Sequence, residues 1–204
     1  MFHAIGSGVI EEALQAAPDR RQRPAAKAGR VFPAGGDAPL EWDVYGGYKG
    51  QFGASGLGYD VGLLQYYYPG SYPKPYNSPN TLEGYLGLSW EFLSFKYSYA
   101  FTDLFGYDKS DGSQYYDLGA AVDVGYGVTL AAHVGYNDIK GQDDYTDWKL
   151  GVTKDVKGYV FGLAYLGTNA RDKAGDWYSF TNASTGKVVA AGADTLLVSV
   201  SKTF

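Results

Sequence analysis

The chain has 204 residues and a formal charge of -5, with a sequence pI near 4.9. Its 29 glycines, 20 tyrosines and 17% aromatic content make it too aromatic for a disordered chain and too rich in glycine for a helical bundle, which leaves a sheet protein. Absence of cysteine excludes disulfides, thiolate-held metals and cysteine nucleophiles, and the acidic balance argues against nucleic acid as a partner.

No window approaches the roughly 18 to 20 consecutive apolar residues of a membrane helix; among the longest weakly polar stretches is Gly158 to Gly167. A closed barrel, however, spans a membrane with alternating strands whose hydropathy is weak. A mean hydropathy of -0.25 suits that case as well as a soluble one. Residues 1–39 stand apart from the remainder. Arg20, Arg21, Arg23, Lys27 and Arg30 form a polar run preceded by Pro18 and broken by Pro24, a composition that predicts disorder. Gly6, Ser7 and Gly8 interrupt the apolar opening and Glu11 and Glu12 follow it, which is not the pattern of a signal peptide.

From residue 40 to 204 apolar and polar residues alternate with period two, the signature of strands. Trp42, Val44 and Tyr48 oppose Glu41, Asp43, Tyr45 and Lys49 in the first. The second runs from Gly58 to Tyr68, with Asp60 and Tyr66 on its polar side. Leu82, Leu86, Leu88 and Trp90 oppose Glu83, Tyr85 and Ser89 in the third. The fourth is the cleanest, with Leu93, Phe95, Tyr97, Tyr99 and Phe101 on one face and Ser94, Lys96, Ser98, Ala100 and Thr102 on the other. In the fifth Tyr116, Leu118, Ala120, Val122 and Val124 oppose Tyr115, Asp117, Ala121 and Asp123; in the sixth Val128, Leu130, Ala132, Val134 and Tyr136 oppose Thr129, Ala131, His133 and Asn137. Three more, Tyr145 to Lys154, Tyr159 to Thr168 and Asp194 to Phe204, complete nine. Leu64, Val160, Leu166 and Leu197 are the apolar exceptions on the polar side.

Short connections at Glu91–Phe92, Gly125–Gly127 and Asp155–Gly158 alternate with long ones at Pro69–Asn80, Asp103–Gln114, Asp138–Asp144 and Asn169–Ala193. Only the connection Gln51–Leu57 blurs the alternation. Outer-membrane barrels have short periplasmic turns and long outer loops, an asymmetry a soluble sandwich has no reason to keep. With the long loops outside, the last strand ends on the periplasmic side at Phe204, a terminal aromatic resembling the signal read by the barrel-assembly machinery. An even strand count and a periplasmic N-terminus then require an odd number of strands before residue 40.

The runs EWDVYGGYKG from Glu41, GYDVGLLQYYYPG from Gly58, FKYSYAFTDLFG from Phe95 and YTDWKLGVTK from Tyr145 resemble the TorF-type porin family of proteobacteria over about residues 39–204. That resemblance implies an all-β, antiparallel up-and-down transmembrane barrel of twelve strands, nine of them visible here, preceded by a signal peptide and three strands that residues 1–30 do not match. It also implies passive passage of small solutes across the outer membrane, with the lipid bilayer and lipopolysaccharide as surroundings.

Lumen-lining candidates by alternation are Glu41, Asp43, Tyr45, Lys49, Asp60, Tyr66, Glu83, Tyr85, Lys96, Tyr115, Asp117, Asp123, His133, Asp147 and Lys149. Acids outnumber bases among them, a lean toward cations. Tyr45, Tyr66, Tyr85 and Tyr115, with an inward-folded loop from Asn169 to Ala193, are expected to narrow the passage. No cofactor, metal or enzymatic site is expected. His133 has no serine nucleophile near it in sequence, and the acidic run Gln142, Asp143, Asp144 and Asp147 lacks the spacing of a calcium loop. Trp42, Tyr48, Tyr59, Tyr67, Trp90, Tyr136, Trp148 and Tyr159 fit aromatic girdles at two lipid interfaces. A structural or adhesive surface protein with ligand-binding loops is the alternative.

Overall fold

The computed structural model describes residues 42–74, 77–170, 179–181, 186–190 and 192–202. Eleven strands are present in them. β1 (Trp42–Gln51), β2 (Gly58–Tyr67), β3 (Thr81–Trp90), β4 (Leu93–Ala100), β5 (Gln114–Gly125), β6 (Val128–Asp138), β7 (Tyr145–Val156) and β8 (Tyr159–Thr168) follow one another. The short strands β9 (Ser179–Thr181) and β10 (Val188–Ala190) pair as a separate hairpin before β11 (Thr195–Lys202). One antiparallel sheet contains the rest in the order β1-β2-β3-β4-β5-β6-β7-β8-β11. Each of the nine expected strands is therefore found, and each pairs with its neighbour in the chain apart from the excursion through β9 and β10.

Strands of eight to twelve residues match the roughly 9 to 11 residues that cross a bilayer. The three short connections expected are tight turns, at Glu91–Phe92, Tyr126–Gly127 and Lys157–Gly158. Val156 pairs with Tyr159, leaving Lys157 and Gly158 as a two-residue turn with φ of 57° and 81°. Both angles are positive, as a type I′ hairpin demands, and a glycine at the second position removes half the steric cost.

The sheet is open. β1 and β11 form its two edges, and because the meander reverses at every step these edges run in the same direction. Among the described residues no second layer packs on it. Even so, Glu83, Asp147, Lys149, Ala164 and Leu166 on the polar face are buried. In a single-layer sheet that burial requires the sheet to curl around its polar face, aided by whatever the connections lay across it.

The other face is apolar from edge to edge. Val61 and Leu63 on β2, Leu86 on β3, Leu118 on β5, Leu130 and Val134 on β6, Leu150 on β7, Leu163 on β8 and Val198 on β11 all remain exposed. Aromatic rings bracket this aliphatic band. At the end carrying the long connections, Trp42 meets Tyr67 with ring centroids 6.4 Å apart, and Tyr116 stands 5.1 Å from Tyr97 and 6.4 Å from Tyr136. At the end carrying the short turns, Tyr59 lies 6.0 Å from Tyr48 and 4.7 Å from Phe52. There the Lys202 ammonium sits 4.2 Å from the Tyr159 ring centroid, so a cation placed on the apolar face by the period of two bends onto an aromatic ring.

The hydrophobic core is small and lies on the polar face at the long-connection end. It comprises Ala100, Leu104, Ile139 and Tyr145, with Phe105 and Ala170 packed against it.

Candidate functional site

Every described lumen candidate lies on the polar face, and register rather than sequence shows how they are joined. Lys49 pairs with Asp60, Asp60 with Gly87, Gly87 with Lys96, Lys96 with Asp117, Asp117 with Gly135 and Gly135 with Asp147. Directly opposed residues of antiparallel strands share a face, so one charged row crosses seven strands. It starts near the turn end of β1 and finishes near the loop end of β7, the oblique path that strand tilt produces in a curled sheet.

The neighbouring row contains His133, opposed by Gly119 on one side and Lys149 on the other. Gly135, two residues further along β6, has no side chain to fill the space between Asp117 and Asp147, and His133 reaches into it. Its Nδ1 is 3.1 Å from Asp117 Oδ2 and its Nε2 3.0 Å from Asp147 Oδ1. The Tyr115 hydroxyl crosses the same gap from β5 and donates to Asp147 at 3.1 and 3.3 Å. A Cβ on residue 135 would collide with that hydroxyl. Four side chains from three strands thus interlock over one glycine.

This arrangement is poorly suited to hydrolysis. Both imidazole nitrogens face carboxylates, so neither remains to take a proton from a nucleophile. It is equally unsuited to a metal, because the ring stands between the two carboxylates instead of sharing an ion with them. Among the described residues no cluster of His, Asp and Glu is arranged to hold an ion. What it does is cross-link the polar wall: Asp147 and Lys149 are buried, and buried charge is tolerated only where it is paired and hydrogen-bonded.

The remaining candidates divide by position. Asp43, Tyr45 and Lys49 lie on the exposed edge strand β1 and Asp123 near the turn end of β5, whereas Tyr66, Glu83 and Tyr115 are buried. Glu41 and Phe204 lie outside the described residues. Two of the tyrosines expected to narrow a passage stand against glycines of a neighbouring strand. Tyr85 lies across Gly62, its hydroxyl occupying the space a Cβ there would need, with the Lys96 ammonium 4.7 Å from its ring centroid. Tyr115 lies across Gly135. Glycines at these positions leave room for a ring from an adjacent strand. In the acidic run, Asp144 accepts from the Tyr136 hydroxyl at 2.8 Å and from the Ile139 amide at 3.1 Å, so it shapes its own connection. More than half of 169–193, the stretch expected to fold inward, lies outside the described residues.

Sequence reasoning placed the connection between β4 and β5 as a long loop but missed that it folds back onto the sheet. A 3-10 turn at Leu104–Gly106 carries Leu104 into the core, and Phe105 packs with its ring centroid 5.1 Å from that of Tyr66. The available signal was an apolar pair, Leu104 and Phe105, inside an otherwise polar stretch.

Comparison with known proteins gives one family. Residues 30–204 match the family described as a bacterial protein of unknown function, Gcw_chp. No curated protein matches, and no solved structure does.

Proposed function

We propose that this chain, which belongs to the Gcw_chp family of bacterial proteins of unknown function, is an outer-membrane β-barrel through which small solutes diffuse passively. One observation carries the reading: a single-layer sheet exposes an apolar band across all nine strands, bracketed by aromatic rings. Monomeric soluble proteins rarely expose contiguous apolar patches beyond a few hundred Å², whereas a lipid-facing barrel wall has this layout. Closure into a barrel belongs to the same proposal. Since β1 and β11 point the same way, an odd number of added strands, such as the three that the TorF resemblance implies, lets every pairing remain antiparallel.

On this reading the polar face is the pore wall and the charged row its lining. Carboxylates outnumber lysines there, which favours cations over anions. Solutes need no cofactor; they move down their gradient past Lys49, Asp60, Lys96, Asp117 and Asp147. Protein folded into planar bilayers should give stepwise currents with a reversal potential on the cation-selective side, and liposomes containing it should admit small sugars. Bilayers that stay silent and liposomes that stay sealed would overturn the channel. A membrane-embedded but impermeable protein would point instead to a structural or adhesive role for the connections, a reading favoured by the core on which three of them pack.

A further inference from the structure

We infer that the connection 101–113 is a fixed constriction at the long-connection mouth and that Leu104 and Phe105 set the size of solute admitted; this rests on the polar face being a pore wall. The connection turns back over the polar face instead of extending away from it. Leu104 packs with Ala100, Ile139 and Tyr145, while Phe105 reaches the other way to Tyr66, with centroids 5.1 Å apart, and to Tyr68 at 6.4 Å. Two adjacent side chains therefore bridge the face from β2 to β7.

Its anchoring is that of a fixed element. Thr81 Oγ1 accepts from the Phe105 amide at 2.8 Å and donates toward the carbonyls of Pro79 and Asp103 at 3.1 and 3.3 Å. Asp103 Oδ1 accepts from the amides of Ser110 and Asp111 at 3.0 and 3.3 Å. Ser110 Oγ accepts from the Leu104 amide at 2.7 Å and donates to the Tyr107 carbonyl at 2.6 Å. Thr81 and Ser110 have no exposed surface. Phe105 and Lys109 hold left-handed backbone, with φ of 51° and 62°, which side-chain-bearing residues keep only where the surroundings enforce it. Beneath the connection, Glu83, Ser98 and Asn137 are sealed from solvent. The polar face stays exposed on the edge strands, at Tyr45 on β1 and Ser199 on β11. A solute must pass on that side of the connection.

The test compares the full chain with a variant in which 104–109 is replaced by a short glycine-serine linker, and with Phe105→Cys, a unique thiol in a chain without cysteine. Folding is verified by the shift in gel mobility between unheated and boiled samples. Shortening should raise single-channel conductance severalfold and admit larger sugars into liposomes. A bulky water-soluble thiol reagent should lower the current through Phe105→Cys and leave the parent unchanged. Parent channels that conduct while both variants keep the parent's conductance, sugar limit and indifference to the reagent would overturn the constriction but not the pore. If shortening prevents folding, an unaltered current through the labelled Phe105→Cys overturns it alone. Silence of parent and variants alike would remove the pore reading and the constriction with it.

Discussion

Leu150→Arg should lower the stability of the bilayer-folded protein by about 2–4 kcal/mol, the cost of a guanidinium near mid-depth on the lipid face of a barrel. Leu150 lies in the middle of β7 on the apolar face and is 64% exposed. In water, replacing a side chain so exposed with arginine would change stability by no more than about 0.5 kcal/mol, so the two environments predict different results for one substitution. Thr153→Arg, on the polar face of the same strand, is the matched control and should stay within that smaller range. Urea titration of protein folded into liposomes measures both. Equal, small effects at the two positions would place Leu150 in water.

Asp147→Ala should cost about 3 kcal/mol, because it strips one acceptor from His133 Nε2 and the Tyr115 hydroxyl together, and breaking a buried pair leaves the remaining partner uncompensated. Asp147→Asn keeps an oxygen acceptor and should cost less. Coupling is the sharper readout. In a His133→Ala background, Asp147→Ala should lose a large part of its effect, since the imidazole it would have stranded is gone; a double-mutant cycle by urea titration measures the difference. Strict additivity would mean that the interlock over Gly135 contributes nothing beyond its separate contacts.

The strands were legible because period-two patterning survives whichever environment each face meets. Leu93 to Thr102 alternates so cleanly that β4 could be placed from residue types alone, and turn glycines such as Gly158 marked where strands stop. Three-residue strands such as β9 and β10 contain too few alternations to rise above the loop around them. Face assignment was equally legible, since it follows from parity within a strand. Register was not. Whether Asp117 opposes Lys96 and Gly135, or residues two steps away, depends on turn geometry and the bulge between Asp123 and Gly125, and the charged row exists only in the observed register. His133 illustrates the consequence. On its own strand it has no partner within reach, while its two carboxylates come from β5 and β7. The inward fold of the connection 101–113 escaped for a different reason: polar, glycine-containing stretches read as solvent-facing, and the apolar pair Leu104 and Phe105 does not by itself say which surface it covers.

The central claim is that the apolar face meets lipid and the polar face meets water, and cysteine scanning along β6 tests it most directly in a chain that has no cysteine of its own. Thr129, Ala131 and His133 share the polar face, and Leu130, Ala132 and Val134 the apolar one. In liposomes, a small charged thiol reagent should modify cysteines at the half-buried polar-face positions Thr129 and His133 and spare the second set, with Ala131 slow because it is buried, and detergent-free unfolding in urea should erase the pattern. Rapid modification of the second set in the folded protein would contradict the account, because it would show the apolar face bathed in water.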